Sequence, residues 1–120
     1  MTIREFYEAI GGSYDEALHI MKKEERMKSY VGYFLQDDSF AALSAAMATE
    51  QYEAAFRAAH TLKGVSGNMG FAKLAAAARE LTEELRDGKN YPGAVELFPK
   101  VEQYYHMTVD HIKAYQVNAE

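Results

Sequence analysis

The chain has 120 residues, no cysteine, 48% hydrophobic residues and a formal net charge of −5. These values exclude disulfides and cysteine-based zinc sites, and they argue against disorder and against nucleic-acid binding, which needs a basic surface. No stretch approaches the roughly 20 apolar residues of a membrane span, and the charged N-terminus does not resemble a signal peptide. We therefore expect one cytoplasmic domain over residues 1–120, with no membrane segment.

Residues 1–22 are expected to form a short helical extension. Phe6, Tyr7 and Ile10 have the spacing of one or two helical turns, and the glycine pair at positions 11–12 interrupts that pattern. Ser13 can then cap a second short helix, because its side-chain oxygen can accept from a backbone N–H of the first turn.

The main bundle is expected at about residues 24–118. Apolar residues recur at helical spacing over residues 27–35, which predicts a helix with one buried stripe. Polar residues 36–39 interrupt the stripe, and Asp38 or Ser39 can cap a short helix that follows. Thr49 is expected to cap the next helix, because acidic residues follow it near the positive helix end.

The rest of the chain also has helical spacing. A helix is predicted over residues 50–66, then a turn at 67–70 and a helix from Phe71 to about residue 85. Residues 87–93 break the chain, and a last helix carries apolar residues from Ala94 to Tyr115, with Pro99 able to shift its start or kink it. Because no segment alternates with period two, we predict an all-α fold: an antiparallel four-helix bundle with the short N-terminal helical extension.

The helix predicted over residues 50–66 brings a histidine, a lysine and glycines together. On a wheel of about 100° per residue, His60 lies half-exposed at the edge of the buried face, Lys63 lies within one turn, and Gly64 and Gly67 flank the next turn. A glycine inside a helix costs about 1 kcal/mol relative to alanine. We interpret the glycines as keeping the approach to His60 open.

This arrangement suits phosphoryl transfer. Neutral imidazole is nucleophilic, and free imidazole is mostly neutral at pH 7. The Lys63 ammonium can stabilise the anionic oxygens of a phosphoryl group. The chain shows no glycine-rich nucleotide loop, carboxylate cluster or metal cage. We therefore expect it to carry a phosphoryl group without making one from ATP, with no metal or cofactor of its own.

Residues 59–74, which read AHTLKGVSGNMGFAKL, resemble the signature of the histidine phosphotransfer (HPt) domain. That signature reads A-H-x-L-K-G, then a small pair, a hydrophobic residue with glycine, and leucine. Val65 stands where the family often has alanine or serine, and Met69 where leucine is usual. Both changes bear on the preference for a partner.

The resemblance implies a four-helix bundle that accepts a phosphoryl group from the aspartate of a receiver domain and passes it to another receiver. His60 would be the phosphoacceptor, Lys63 would stabilise the phosphate charge, and Gly64 would leave the ring accessible. Mg²⁺ would be bound by the receiver and not by this chain. The expected partners are response-regulator receivers, with a hybrid histidine kinase among the candidates, and the expected state is a monomer.

A docking surface for receivers is expected around His60. Besides Lys63 and Gly64, its candidate residues are Phe56, Arg57, Gly67, Met69, Phe71 and Lys73. An apolar patch beside a reactive histidine usually marks a partner site. Phe56 and Met69 could equally belong to the core.

Other functions remain open at this point. The chain could be the phosphoacceptor domain of a chemotaxis-type histidine kinase, and a stop codon after Glu120 would exclude that alternative. It could also be an adaptor that binds receivers without transfer, although the intact His60 and Lys63 argue against this. A metal- or haem-binding bundle would need converging ligands on facing helices, and the sequence shows none.

Overall fold

The computed structural model describes residues 1–88 and 91–118, which are helical almost throughout. The helices, in chain order, are α1 (Ile3–Ala9), α2 (Tyr14–Met21), α3 (Glu24–Tyr33), α4 (Ser39–Ala48), α5 (Tyr52–Asn68), α6 (Ala72–Leu85) and α7 (Tyr91–Asn118). Two 3₁₀ turns, Phe34–Gln36 and Arg86–Gly88, follow α3 and α6. No strand occurs in these two ranges, and the all-α prediction is confirmed.

The long helices pack in chain order. Helix α5 lies against both α4 and α6, and α6 lies against α7. Aromatic rings connect α4 to α7, since Phe40 stacks on Tyr105 with the ring centroids 4.0 Å apart. The segment 24–118 contains five α-helices in its described part, so the expected count of four antiparallel main helices stays a prediction. None of the described helices is both long enough and apolar enough to span a membrane.

Residues 1–22, expected as an extension, are built into the hydrophobic core. The side chains of Phe6 and Tyr7 are fully buried. The Phe6 ring lies 6.1 Å from Phe71 and 5.7 Å from Tyr115, and the Tyr7 hydroxyl donates to the Met69 carbonyl at 2.6 Å. The first helix therefore covers the junction between α5 and α6 and the C-terminal part of α7.

The helix caps agree with the sequence prediction in part. Ser13 caps α2 as expected, since its Oγ accepts from the Glu16 amide at 3.1 Å. Asp38 is the N-cap residue of α4, but it makes no side-chain cap hydrogen bond. The prediction that Thr49 caps α5 is wrong. Thr49 ends α4, where its hydroxyl donates back to the Ala45 carbonyl at 2.8 Å.

Two helix boundaries differ from the prediction. Helix α5 continues to Asn68, so Gly67 lies inside the helix and the turn begins only at Met69. There Gly70 has a φ of +73°, and its carbonyl accepts from the Ser13 amide at 2.9 Å. Helix α7 already begins at Tyr91 and keeps Pro99 inside it. Of the predicted break at 87–93, Lys89 and Asn90 lie outside the described residues.

Candidate functional site

Helix α5 has one buried face and one exposed face. Small and apolar side chains point into the core and allow close contact with α4 and α6: Ala55, Ala58, Ala59, Leu62 and Ser66. The buried Ser66 hydroxyl donates to the Leu62 carbonyl at 2.6 Å, so this polar group is satisfied inside the helix. The opposite face exposes Glu53, Arg57, His60, Gly64 and Gly67.

His60 is exposed near the middle of that face, further out than the half-exposed edge position expected from the wheel. Its ring stacks on Phe56, one turn earlier, with the centroids 6.2 Å apart and the planes 18° apart. Within the part of the chain that the structure describes, no hydrogen bond or ion pair involves the His60 side chain. Both ring nitrogens are therefore available to a reaction partner.

Two cationic residues share this helix with His60. Lys63 is half-buried and lies three residues further on, a spacing that makes the two side chains neighbours on a helix. Arg57 is mostly exposed and forms an ion pair with Glu53, with an N–O distance of 3.4 Å. Arg57 is also three residues from His60 but is paired with Glu53, so the Lys63 ammonium stays the predicted partner for an anionic group attached to His60.

Gly64 and Gly67 are not required by packing. Among the described residues, a Cβ built on either glycine would contact nothing within 4 Å outside the backbone of its own helix. Gly70 differs, because a Cβ there would lie 2.7 Å from the Ser13 carbonyl oxygen. The two helical glycines therefore leave a strip of bare backbone beside His60 without serving the core.

The predicted docking residues separate into two groups. Phe56, Arg57 and Gly67 lie on or beside the exposed face of α5. The other three do not join them. The Met69 and Phe71 side chains are only 8% and 1% exposed. Phe71 lies against Phe6 of α1, with 6.1 Å between the ring centroids, so its assignment to the docking surface is wrong. Met69 is not on the exposed face of α5 and contributes only to the wall of a groove beside the end of that helix. Lys73 is exposed, but its side chain extends over Gly11 in the N-terminal segment.

The structure adds residues that the sequence analysis missed. The Arg86 guanidinium lies over the Phe56 ring, 5.1 Å from its centre.

A groove also opens where α2 and α3 meet the end of α5, and we call it the α2–α3 groove. Its lining residues are Ile20, Met21, Arg26, Tyr30, Asn68 and Met69. Ile20 and Tyr30 are large apolar side chains that are 48% and 45% exposed.

A partial signal for these residues was present in the sequence. Tyr30 belongs to the apolar stripe of residues 27–35, but periodicity does not tell which member of a stripe lies outside the core. Arg86 follows α6 and reaches α5 only through the tertiary fold.

Among residues 1–88 and 91–118, no group of three His, Asp or Glu side chains could hold a metal ion.

Comparison with known proteins identifies the family of the chain. The model of the Hpt domain family matches residues 31–114, which include His60 and Lys63 and make up more than two thirds of the chain. No curated protein and no solved structure matches the chain significantly. Hpt domains act in histidine phosphotransfer and interact with the receiver domains of response regulators. The chain therefore belongs to the Hpt domain family.

Proposed function

We propose that this protein accepts a phosphoryl group on His60 from the aspartate of one receiver domain and passes it to the aspartate of another. The observation that carries the proposal is the exposed His60 ring, which has no hydrogen bond to any of the described residues and lies on the same helix as a half-buried Lys63 and two glycines that packing does not need. A hybrid histidine kinase is a candidate for the first receiver. The protein works as a cytoplasmic monomer.

The reaction is a direct transfer of one phosphoryl group from the receiver aspartate to the unphosphorylated His60 ring. The lone pair of one His60 ring nitrogen attacks the phosphorus, the P–N bond forms, and the P–O bond to the receiver aspartate breaks to leave a carboxylate. The ring keeps its proton on the other nitrogen and becomes a phosphorylated imidazolium. Attack by a second receiver aspartate reverses these steps and returns neutral imidazole.

The contribution of this chain is positioning and charge. The Lys63 ammonium stabilises the oxygens of the transferring group, which carry the charge in such reactions. The catalytic Mg²⁺ belongs to the receiver. The carrier has no kinase activity of its own, since its role requires only a nucleophile, a cation and an open approach.

The docking surface extends from His60 towards the C-terminal end of α5. Gly64 and Gly67 lead along the exposed face to Asn68, about 12 Å from His60 along the helix axis, where the α2–α3 groove begins. Exposed large apolar residues that share one groove are typical of a partner site. The receiver would therefore contact Ile20 and Tyr30 while its aspartate faces His60.

The test is transfer of a radioactive phosphoryl group. A purified receiver carrying labelled aspartyl phosphate is mixed with the protein, and label is expected on the wild-type chain but not on His60→Gln. His111→Gln is the matched control, because His111 lies on α7 and its ring nitrogen Nδ1 contacts the Met107 carbonyl at 2.8 Å. Equal labelling of His60→Gln and wild type would contradict the proposal. Receiver binding without any labelling would favour the adaptor function.

A further inference from the structure

The Phe56 ring is the structural feature that restricts the His60 side chain. Residues four apart are neighbours on a helix surface, and these two rings stack with 6.2 Å between centroids and 18° between planes. Those values lie within the range of favourable offset stacking. Because no hydrogen bond or ion pair from the described residues fixes His60, the stack is the contact that sets the plane of its ring.

Phe56 is itself held from the core side and from the end of α6. Its half-buried side chain packs against the hydrophobic core and lines a groove together with the buried Leu85. The Arg86 guanidinium lies 5.1 Å from the Phe56 ring centre, a cation–π distance. Arg86 also forms an ion pair with Glu83, with an N–O distance of 3.2 Å. The orientation of the Phe56 ring is therefore more restricted than that of the exposed His60 ring that stacks on it.

The orientation of an imidazole plane matters for nucleophilic attack. The reactive lone pair of a ring nitrogen lies in the plane of the ring, so the plane fixes the direction from which phosphorus must approach. An offset stack of nearly parallel rings covers part of a ring face and leaves the nitrogen edges free. Phe56 can thus orient His60 without blocking either nitrogen, which is the property a nucleophile in an open site needs.

We propose that Phe56, held by the core and by Arg86, is a positioning residue that presents the His60 ring edge to the incoming phosphoryl group. This inference rests on the proposed function, because it concerns how His60 reacts. Phe56 acts through His60, so its effect extends to a phosphoryl donor too small to touch the docking surface.

The experiment compares the rates at which His60 is phosphorylated in the wild-type protein and in variants. The donor is phosphoramidate, a small molecule that needs no docking surface. Phe56→Leu keeps apolar bulk but removes the ring, and we expect it to lower the rate about 3- to 10-fold, less than the ~100-fold that a 1 Å misplacement can cost. Phe56→Tyr keeps the ring and is expected within about twofold of wild type. Tyr52→Leu is the matched control, because Tyr52 is an aromatic residue of α5 that stacks on Tyr91 and not on His60.

A spectroscopic readout tests the stack directly. In the wild-type protein the His60 ring-proton NMR signals are expected to show a ring-current shift from Phe56, which Phe56→Leu removes and Phe56→Tyr retains. A Phe56→Leu rate equal to wild type, or wild-type signals without a ring-current shift, would overturn the inference even if a variant folds poorly. A wild-type protein that takes no label from phosphoramidate or from a receiver would instead contradict the proposed function.

Discussion

At the scale of single residues, Gly64 is a position where stability and the proposed function favour different side chains. A Cβ at this position would meet open space, and alanine is about 0.8–1.0 kcal/mol more favourable than glycine inside a helix. We therefore expect Gly64→Ala to raise the free energy of unfolding by up to about 1 kcal/mol in urea denaturation. The glycine persists in the helix at a cost to its stability, which is consistent with a role in access to His60.

The same position gives a matched test of access. We expect Gly64→Val to lower transfer from a receiver at least about tenfold, because branched bulk beside His60 obstructs close approach, a loss equivalent to about 1.4 kcal/mol. Its labelling by phosphoramidate should change much less, since a small donor needs less room. Equal losses with both donors would show that the substitution damages His60 and not the approach to it.

Lys63 is expected to act on the charge of the transferring group. Its half-buried position one turn from His60 limits screening by water, so we expect Lys63→Ala to lower the rate of receiver-dependent labelling about 10- to 100-fold. Lys63→Arg keeps the charge and should lose less. Lys113→Ala, which removes an exposed lysine of α7, serves as the control and should label at the wild-type rate.

At the scale of elements, the proposed docking surface extends from α5 onto α2 and α3. We expect Ile20→Ala combined with Tyr30→Ala to weaken receiver binding by about 1–3 kcal/mol, as loss of exposed apolar anchors does. Titration of an unphosphorylated receiver by calorimetry measures this change. Val95→Ala, which truncates an exposed apolar residue of α7, should leave the affinity unchanged. An unaltered affinity in the double variant would place the receiver elsewhere on the molecule.

The turn between α5 and α6 depends on a glycine for a different reason. Gly70 has a φ of +73°, and a Cβ there would lie 2.7 Å from the Ser13 carbonyl oxygen and 2.8 Å from the Ala17 Cβ. We expect Gly70→Ala to destabilise the protein by at least about 2 kcal/mol, from left-handed backbone strain and from crowding. Urea denaturation checks this, with Gly67→Ala as the control that should cost nothing. Equal stabilities of the two variants would contradict the packing of α2 on this turn.

The sequence predicts the helices better than their junctions. The spacing of Ala55, Ala59 and Leu62 correctly gives the buried face of α5, but it places His60 at the half-exposed edge of that face, whereas the structure has it exposed. Thr49 fails as a predicted cap because its hydroxyl has a second option, the carbonyl four residues earlier. Turn propensity likewise places the end of α5 too early, at Ser66 instead of Asn68, since tertiary packing overrides such local preferences.

The errors at the site have a common tertiary cause. Phe71 has the apolar character of a docking residue, but whether it faces solvent depends on where α1 lies. Phe6 and Tyr7 are separated from it by more than 60 positions in the sequence, so periodicity within either segment carries no information on their contact. The same argument applies to Arg86, whose position over Phe56 follows from the packing of α6 against α5.

At the scale of the whole molecule, one buried phenol connects the N-terminal segment to the turn beside α5. The Tyr7 side chain is fully buried and donates to the Met69 carbonyl at 2.6 Å. Burial raises the pKa of Tyr7, because a phenolate would lose both its hydration and its ability to donate this hydrogen bond. Burial also raises the pKa of Tyr105 and Tyr115, which are less enclosed.

The raised pKa of Tyr7 predicts a loss of stability in alkali. Below pH ~10, the ordinary value for tyrosine, the phenol is neutral in both states and its stabilising effect is fully present. At higher pH the unfolded chain releases the proton while the folded chain retains it, so the free energy of unfolding falls by up to about 1.4 kcal/mol per pH unit. Urea denaturation between pH 8 and pH ~11.5 measures this slope.

Tyr7→Phe isolates the contribution of this one phenol. At pH 8 we expect the variant to be about 1–3 kcal/mol less stable than wild type, because the buried Met69 carbonyl loses its donor. That difference should shrink as the pH rises above ~10, since the variant lacks this phenol, while the remaining slope reports the other tyrosines whose pKa is raised in the folded protein. Tyr33→Phe, at an exposed tyrosine, should follow the wild-type curve. A constant difference between Tyr7→Phe and wild type across this range would mean that Tyr7 is accessible to water, and that α1 does not seal the core.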